Sequence, residues 1–174
     1  MNPDEVRFCP RCGAPTAPRA AGGRERPVCT VCGQAVYGGP AVGVAVIVQD
    51  ADGKVLLGRR ARGRYAGRWC IPCGYVEWGE EVRAAAAREF AEETGLEVEV
   101  GEVAAVHSNF HDPDRLSVGI WFRGRVVRGA PAPRDGELSA LGYFDPANPP
   151  TLAFPTDGIV LGMLAEELRR KSGQ

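Results

Sequence analysis

The chain has 174 residues and a formal charge of −1, with 44% hydrophobic and 25% charged residues. That balance allows one core of ordinary size plus a small appendage, and it gives no net charge that would draw the molecule to nucleic acid or an anionic membrane. The longest apolar run, Ala41 to Val48, is far shorter than the roughly 20 residues of a membrane helix, and Met1 to Glu5 has neither the basic nor the apolar region of a secretory signal, so a cytoplasmic protein is expected.

Cys9-x2-Cys12, sixteen residues, and Cys29-x2-Cys32 open the chain with the spacing of a four-cysteine zinc site. Gly13 and Gly33 follow the pairs and permit the turns that bring two sulfurs to one ion. The stretch between is rich in Pro, Gly and Arg and nearly devoid of apolar residues, so a segment of this size cannot bury a core of its own. Zn2+ binding would supply the missing free energy, on the order of 10 kcal/mol, and four thiolates close the site, which makes the metal structural. The competing reading, two disulfides in a secreted mini-domain, is opposed by the lack of a signal segment. Residues 1–38 are therefore read as a zinc ribbon and residues 39–174 as a separate domain.

Val42 to Gln49 reads as a buried strand, Asp50 to Gly53 as a turn and Lys54 to Arg60 as a second strand, together a hairpin. Arg59 and Arg60 end that strand, and Arg60 is the candidate to reach a substrate phosphate with its forked guanidinium. A polar loop, Arg62 to Gly67, leads into a short strand at Arg68 to Ile71. Trp69-Cys70-Ile-Pro-Cys73 looks like a thioredoxin redox motif, but that chemistry needs its first Cys at a helix N-terminus. Gly74 follows at once and the next helix starts near Glu80, so two small, partly buried thiols are expected. A disulfide or an added zinc ligand pair stays open.

The helix from Glu80 to Thr94, with Gly95 at its C′ position, carries Glu89, Glu92 and Glu93. At about 100° per residue, Glu89 and Glu93 lie within about 40° of each other, and Glu92 widens the arc to about 100°. Val82 and Ala86 share the stripe of Glu89 and Glu93, so this acidic face is not simply the solvated back of the helix. The alternative is a charged surface helix with an Arg88–Glu92 i,i+4 pair. Hard oxygen donors so gathered suit Mg2+ or Mn2+ and the phosphates such ions bridge.

Beyond the helix, Glu97 to Phe110 and Leu116 to Val127 alternate as two long strands around the turn His111 to Asp114. Gly129 to Gly136 is a Pro/Gly loop and Leu138 to Phe144 a strand. Thr156 to Arg170 is an amphipathic helix with Ile159, Leu161, Leu164 and Leu168 as its burial candidates. His107 and His111 read as structural or solvated. Tyr65, Phe110 and Trp121 are candidates to stack on an adenine, with core or rim packing as the competing role.

The stretch Gly74-x5-Glu80-x7-Arg88-Glu89-Phe90-x-Glu92-Glu93-x-Gly95-Leu96 resembles the Nudix box at every fixed position, Phe90 being bulkier than the usual aliphatic residue. The resemblance implies an α/β fold, the Nudix α/β/α sandwich with a mixed sheet, here preceded by the ribbon. It implies metal-dependent hydrolysis of a nucleoside diphosphate linked to X. Glu89, Glu92 and Glu93 would hold one to three Mg2+ or Mn2+ ions, joined by Glu137, whose placement is similar to that of an acid outside the box in many Nudix enzymes, and by the Cys73 carbonyl. Glu89 is the first candidate for the base, Arg88 would fix Glu89, and Glu80 would fasten the loop to the helix. A ribbon before such a domain resembles two groups, the NADH pyrophosphatases and a smaller set acting on ADP-ribose or FAD. The first group's Ser-Gln-Pro-Trp-Pro-Phe-Pro-x-Ser stretch is missing at His107 to Asp114, whereas Leu152-Ala153-Phe154 matches the second, so ADP-ribose or FAD is expected. A homodimer is common in similar enzymes. The reading from another class is a nucleotide-sensing regulator whose ribbon, with Arg7, Arg11, Arg19, Arg24 and Arg26, binds nucleic acid or protein.

Overall fold

The computed structural model describes residues 6–113, 115–134 and 136–173. The chain divides into two compact units, one running through Pro40 and including Asp112–Leu116, the other made of Ala41–His111 and the chain from Ser117 onward.

In the first unit, β1 (Thr16–Ala21) and β2 (Arg24–Cys29) form an antiparallel hairpin. Gly22 and Gly23 both have positive φ, the conformation that a two-residue turn matched to strand twist demands. The sequence shows no strand signal here, because the apolar alternation is missing. Each cysteine knuckle closes through its glycine: Gly13 N–H donates to Cys9 O at 2.9 Å and Gly33 N–H to Cys29 O at 3.2 Å. Among the described residues of this unit, the buried apolar side chains are Cys9, Val28 and Cys29, which is too little to stabilise a fold by burial.

The second unit contains β3 (Ala41–Val48), β4 (Val55–Arg60), β5 (Trp69–Cys70), β6 (Cys73–Tyr75), α1 (Val82–Thr94), β7 (Leu96–Asn109), β8 (Ser117–Gly129), β9 (Leu138–Phe144) and α2 (Pro155–Ser172). One sheet has the order β6-β3-β8-β7, with β3 parallel to β8 and the other pairs antiparallel. A second, antiparallel sheet has the order β5-β4-β9. Successive side chains of a strand face opposite ways, and β3 uses both faces. Val44, Val46 and Val48 join Ala85, Ala86 and Phe90 of α1, whereas Ala45 and Ile47 join Val160, Leu161 and Leu164 of α2. Two helices thus pack on a mixed β layer, the arrangement that the resemblance implies.

Three expectations need correction. The turn after β3 forms, with Asp50 Oδ1 accepting from the N–H groups of Asp52 and Lys54. The strands it joins are not a hairpin, however: they touch at the single bridge Gln49–Val55 and then enter different sheets. Both are buried, so each needs partners and cover of its own. The first long helix starts at Val82, not Glu80. Glu81 caps it by accepting from the N–H groups of Arg83 and Ala84, and no acid lies in its first turn. On α2 the buried face runs through Asp157, Val160, Leu161, Leu164 and Ala165, leaving Ile159 56% exposed. Leu168 is half-buried.

Candidate active site

Where the glycine loop begins, its backbone lies directly on side chains of α1. β6 pairs with β3, matching Cys73 to Ala45 and Gly74 to Val44, and so lies across the acidic end of α1. At Gly74 a Cβ would stand 2.0 Å from Glu89 Cδ and 2.2 Å from its Oε2. No other residue lets the strand lie on that carboxylate. One position earlier, Cys73 N–H donates to Glu93 Oε2 at 2.8 Å, and Glu93 is only 1% exposed. A carboxylate buried on the same stripe as Ala86 cannot be a solvated surface acid, because removing its charge from water is costly unless compensated.

Arg88 organises the other acids. Its Nε and Nη2 grip the two oxygens of Glu80 at 2.8 and 2.9 Å, and Nη2 also donates to Tyr75 O at 3.3 Å. Its Nη1 lies 3.0 Å from Glu89 Oε1 and 3.2 Å from Glu92 Oε2. Glu80 is pulled down to about 2 by the Arg88 guanidinium and then by the Glu77 N–H, and Arg88 is raised in turn by Glu80 first, with Glu89 adding to it against the cost of burial. The fork-to-fork pair thus ties the loop at Glu77–Glu80 to the middle of α1.

The three box acids occupy different settings. Glu93 lies under Cys73, Glu89 lies on Gly74, and Glu92 is 54% exposed, drawn to Arg88. Among the described residues, the one group of three or more possible metal-binding side chains whose donor atoms all lie within 4.8 Å of one another is Cys9, Cys12, Cys29 and Cys32. The acids share a face of α1, as the helix geometry requires, but Arg88 holds two of them in its own ion pairs. Glu137, just before β9, pairs with Arg62 at 3.2 Å, and its carbonyl accepts Ala61 N–H at 2.7 Å.

Arg60 ends β4 half-buried, with its guanidinium 5.5 Å from the Phe154 ring centre. Burial works against its charge, but Cys70, Cys73 and Glu93 together raise its pKa. Its Nε is buried with no hydrogen-bond acceptor. A cation so placed, near Glu93 and with its Nε short of an acceptor, suits an anionic ligand.

Cys70 is buried, its thiol 3.7 Å from Gly58 O, and Cys73 is half-buried; both are free. The neighbouring Cys70 thiol and then burial push Cys73 well up, which is the opposite of a redox-active thiol. Neither residue lies at a helix N-terminus. Trp121 is buried against α2 and donates Nε1–H to Asp157 Oδ1 at 3.1 Å, so its ring is core. His107 packs edge-on against it at 5.6 Å. Tyr65, His111 and Phe154 pack against one another with ring centres 5.2 to 6.2 Å apart, and Phe110 is exposed.

Asp157 escaped the sequence reading. Only its place in the first turn of α2, after Pro155, marks it, because helix N-termini favour carboxylates. In the structure it is 2% exposed, and burial pushes its pKa up to about 7 against the opposing hydrogen bonds from Ile71 N–H and Trp121.

In the ribbon, Sγ of Cys9 and Cys32 are 3.8 Å apart, those of Cys12 and Cys29 3.5 Å, and those of Cys12 and Cys32 3.7 Å. A tetrahedron with metal–sulfur bonds of about 2.3 Å has edges of about 3.8 Å, so the cluster has the size of a zinc site. The N–H groups of Cys32 and Val31 point at Cys29 Sγ, at 3.3 and 3.4 Å, and lower its pKa to about 6, favouring the thiolate a metal needs.

The NUDIX domain family model matches residues 39–160. The ADP-ribose pyrophosphatase of Methanocaldococcus jannaschii is 36% identical over 126 residues, covering 72% of this chain and 73% of that protein. The NAD-capped RNA hydrolase NudC of Stutzerimonas stutzeri is 32% identical over 146 residues, covering 84% of this chain but only 50% of that protein. A solved NUDIX hydrolase from Nitrosomonas europaea superposes with a TM-score of 0.81 at 32% identity, covering 97% of this chain and 94% of its own. No helix among the described residues is long and apolar enough to cross a membrane. With the glycine loop lying on the box acids and the family match spanning most of the chain, this protein is a member of the Nudix hydrolase family.

Proposed function

We propose that the chain hydrolyses the diphosphate linkage of a nucleoside diphosphate linked to X, with ADP-ribose or FAD as its substrate. The observation that carries this reading is the pairing of two acids with loop backbone: Glu93 buried beneath the Cys73 N–H and Glu89 seated on Gly74. The similarity to an archaeal ADP-ribose pyrophosphatase over nearly three quarters of both chains supports the substrate class.

The donor set fits a hard divalent cation. The box supplies carboxylate oxygens, the donors a hard cation prefers, and a side chain at position 74 would fill the space beside Glu89. Glu89, Glu92 and Glu93 would hold Mg2+ or Mn2+, with the Cys73 carbonyl and Glu137, which here pairs with Arg62, as the further ligands. When bound, such ions neutralise phosphate charge and lower the pKa of water at the reaction centre. Glu89 takes the proton of the attacking water on its carboxylate, being the box acid held between Gly74 and Arg88. Arg88 keeps that carboxylate oriented, and Arg60 offers its guanidinium to a substrate phosphate. In the ribbon, Cys9, Cys12, Cys29 and Cys32 would hold Zn2+ as a structural ion.

Glu93→Gln keeps shape and removes charge, so turnover should fall by at least about a hundredfold while the melting temperature stays near that of the parent. The measurement is AMP release from ADP-ribose, FAD, NADH and diadenosine compounds with Mg2+ and with Mn2+. A Glu93→Gln protein with near-parental turnover would remove the assignment. NADH preferred over ADP-ribose and FAD would move the substrate toward the NudC-like relative.

A further inference from the structure

The strip that carries the active-site loop is held from behind by a carboxylate that lies outside the box. Asp157, in the first turn of α2, uses both oxygens: Oδ2 accepts Ile71 N–H at 3.0 Å and Oδ1 accepts Trp121 Nε1–H at 3.1 Å. Ile71 is fully buried, and two residues further on Cys73 donates its N–H to Glu93. Pro72 lies between them, with φ fixed by its ring and no N–H to offer, and its carbonyl accepts Val46 N–H at 3.3 Å. The strip therefore has little freedom to absorb a displacement at Ile71 before it reaches Cys73. Its other end is tied to the same approach to α2: Trp69 N–H donates to Thr151 O at 2.9 Å, and Ala153 N–H to Trp69 O at 2.7 Å.

The surroundings make a carboxylate here expensive. Ile71 and Trp121 belong to an apolar cluster with Ala45, Ile47, Val160, Leu161 and Leu164. A buried ionisable group in such a place costs stability, and an apolar side chain of similar volume would serve packing alone better. What the carboxylate provides is two acceptors facing two donors in fixed directions, one of which leads to Glu93.

We propose that Asp157 is a positioning residue for the active centre: by holding Ile71 N–H it sets the Cys73 amide against Glu93 and so fixes Glu93 from the α2 side of the sandwich. This rests on the assignment of Glu93 to the catalytic site. A displacement of about 1 Å at a catalytic group can cost about a hundredfold in rate.

Asp157→Asn presents one acceptor and turns an NH2 group against the other donor. Its kcat should fall by about ten- to a hundredfold, with KM for ADP-ribose within about twofold and a raised Mg2+ requirement. Removing the second donor relieves the conflict: in Asp157→Asn combined with Trp121→Phe, the amide carbonyl is free to accept Ile71 N–H, and kcat should recover to near that of Trp121→Phe alone. A merely structural Asp157 would give the reverse, since a second core substitution adds damage. Trp121→Phe by itself leaves the Asp157–Ile71 bond and should keep kcat within about threefold. The proposal is overturned if folded Asp157→Asn keeps parental kcat and Mg2+ dependence, if the double variant is slower than Asp157→Asn, or if Trp121→Phe is as slow as Glu93→Gln. Should Asp157→Asn alone fail to fold, the double variant decides: kcat near that of Trp121→Phe is expected, and a folded double variant at least about tenfold slower than Trp121→Phe would overturn the proposal. Glu93→Gln is run alongside: its retaining activity would overturn the catalytic assignment itself, whereas its inactivity beside a fully active Asp157→Asn would overturn only the role of Asp157.

Discussion

At position 74 the absence of a side chain makes room for Glu89. Gly74→Ala would put a methyl group 2.0 Å from Glu89 Cδ, far inside van der Waals contact, so either the strand or the carboxylate must move. Overpacking of this kind costs about 1–3 kcal/mol, and the loss of turnover should far exceed that modest loss of stability. Denaturant melts beside AMP-release rates would show it; equal rates for Gly74→Ala and parent would mean that Glu89 needs no such seat. Two other residues titrate in opposite senses. Glu80 is held at about 2, below its ordinary 4.5, so its stabilisation is present above pH 4.5 and lost as pH falls toward 2. Asp157 is raised from 3.8 to about 7, so the folded state holds its proton longer, and stability declines as pH rises between those values. Glu80→Gln should therefore flatten the acid limb of a stability–pH curve, and Asp157→Asn the limb between about pH 4 and 7. Unchanged limbs in urea midpoints would refute the corresponding environment.

Among elements, α1 was legible in the sequence because every constraint on it is local. Gly95 takes the left-handed conformation expected of a C-terminal cap, and Val82, Ala86 and the acids keep the 3.6-residue period. Its start was misplaced by two residues because Glu80 and Glu81 are alike in sequence and differ only in partner: one meets Arg88, the other caps the helix. The same limit hid the parting of β3 from β4. A good turn and two apolar runs describe a hairpin and a sheet crossover equally well, and only distant partners, β8 and β9, decide between them. Asp157 was hidden for a related reason, since an acid in a helix's first turn is ordinary until Ile71 and Trp121 arrive from elsewhere in the chain. Glu92 shows the converse: helix geometry placed it on the acidic arc, but Arg88 claims it.

The two units of the molecule depend on different sources of free energy. The larger one buries two clusters of aliphatic and aromatic side chains against its two helices. The smaller one, among its described residues, buries Cys9, Val28 and Cys29 and closes its knuckles on four sulfurs at the spacing of a tetrahedral ion. Stripping metal should therefore act on the units unequally. With a strong chelator, amide protection along β1, β2 and both cysteine knuckles should collapse, because a ribbon bound by thiolates draws on the order of 10 kcal/mol from its ion. Protection along Val44–Val48 should persist, since that strand is covered on both faces by side chains of its own unit. The chelator also removes catalytic cations, so turnover should vanish and return when Mg2+ alone is supplied in excess, before zinc is restored. Elemental analysis should find about one zinc per chain in the untreated protein, released in step with titration of four thiols. Persistence of ribbon protection after complete zinc removal would show that hairpin hydrogen bonds suffice, and return of activity with zinc but not Mg2+ would move catalysis away from the box acids. The two donor sets differ in chemistry, four soft thiolates against hard carboxylates, so the ribbon would retain zinc where Mg2+ could not replace it, and the box acids would take whichever hard divalent cation is in excess.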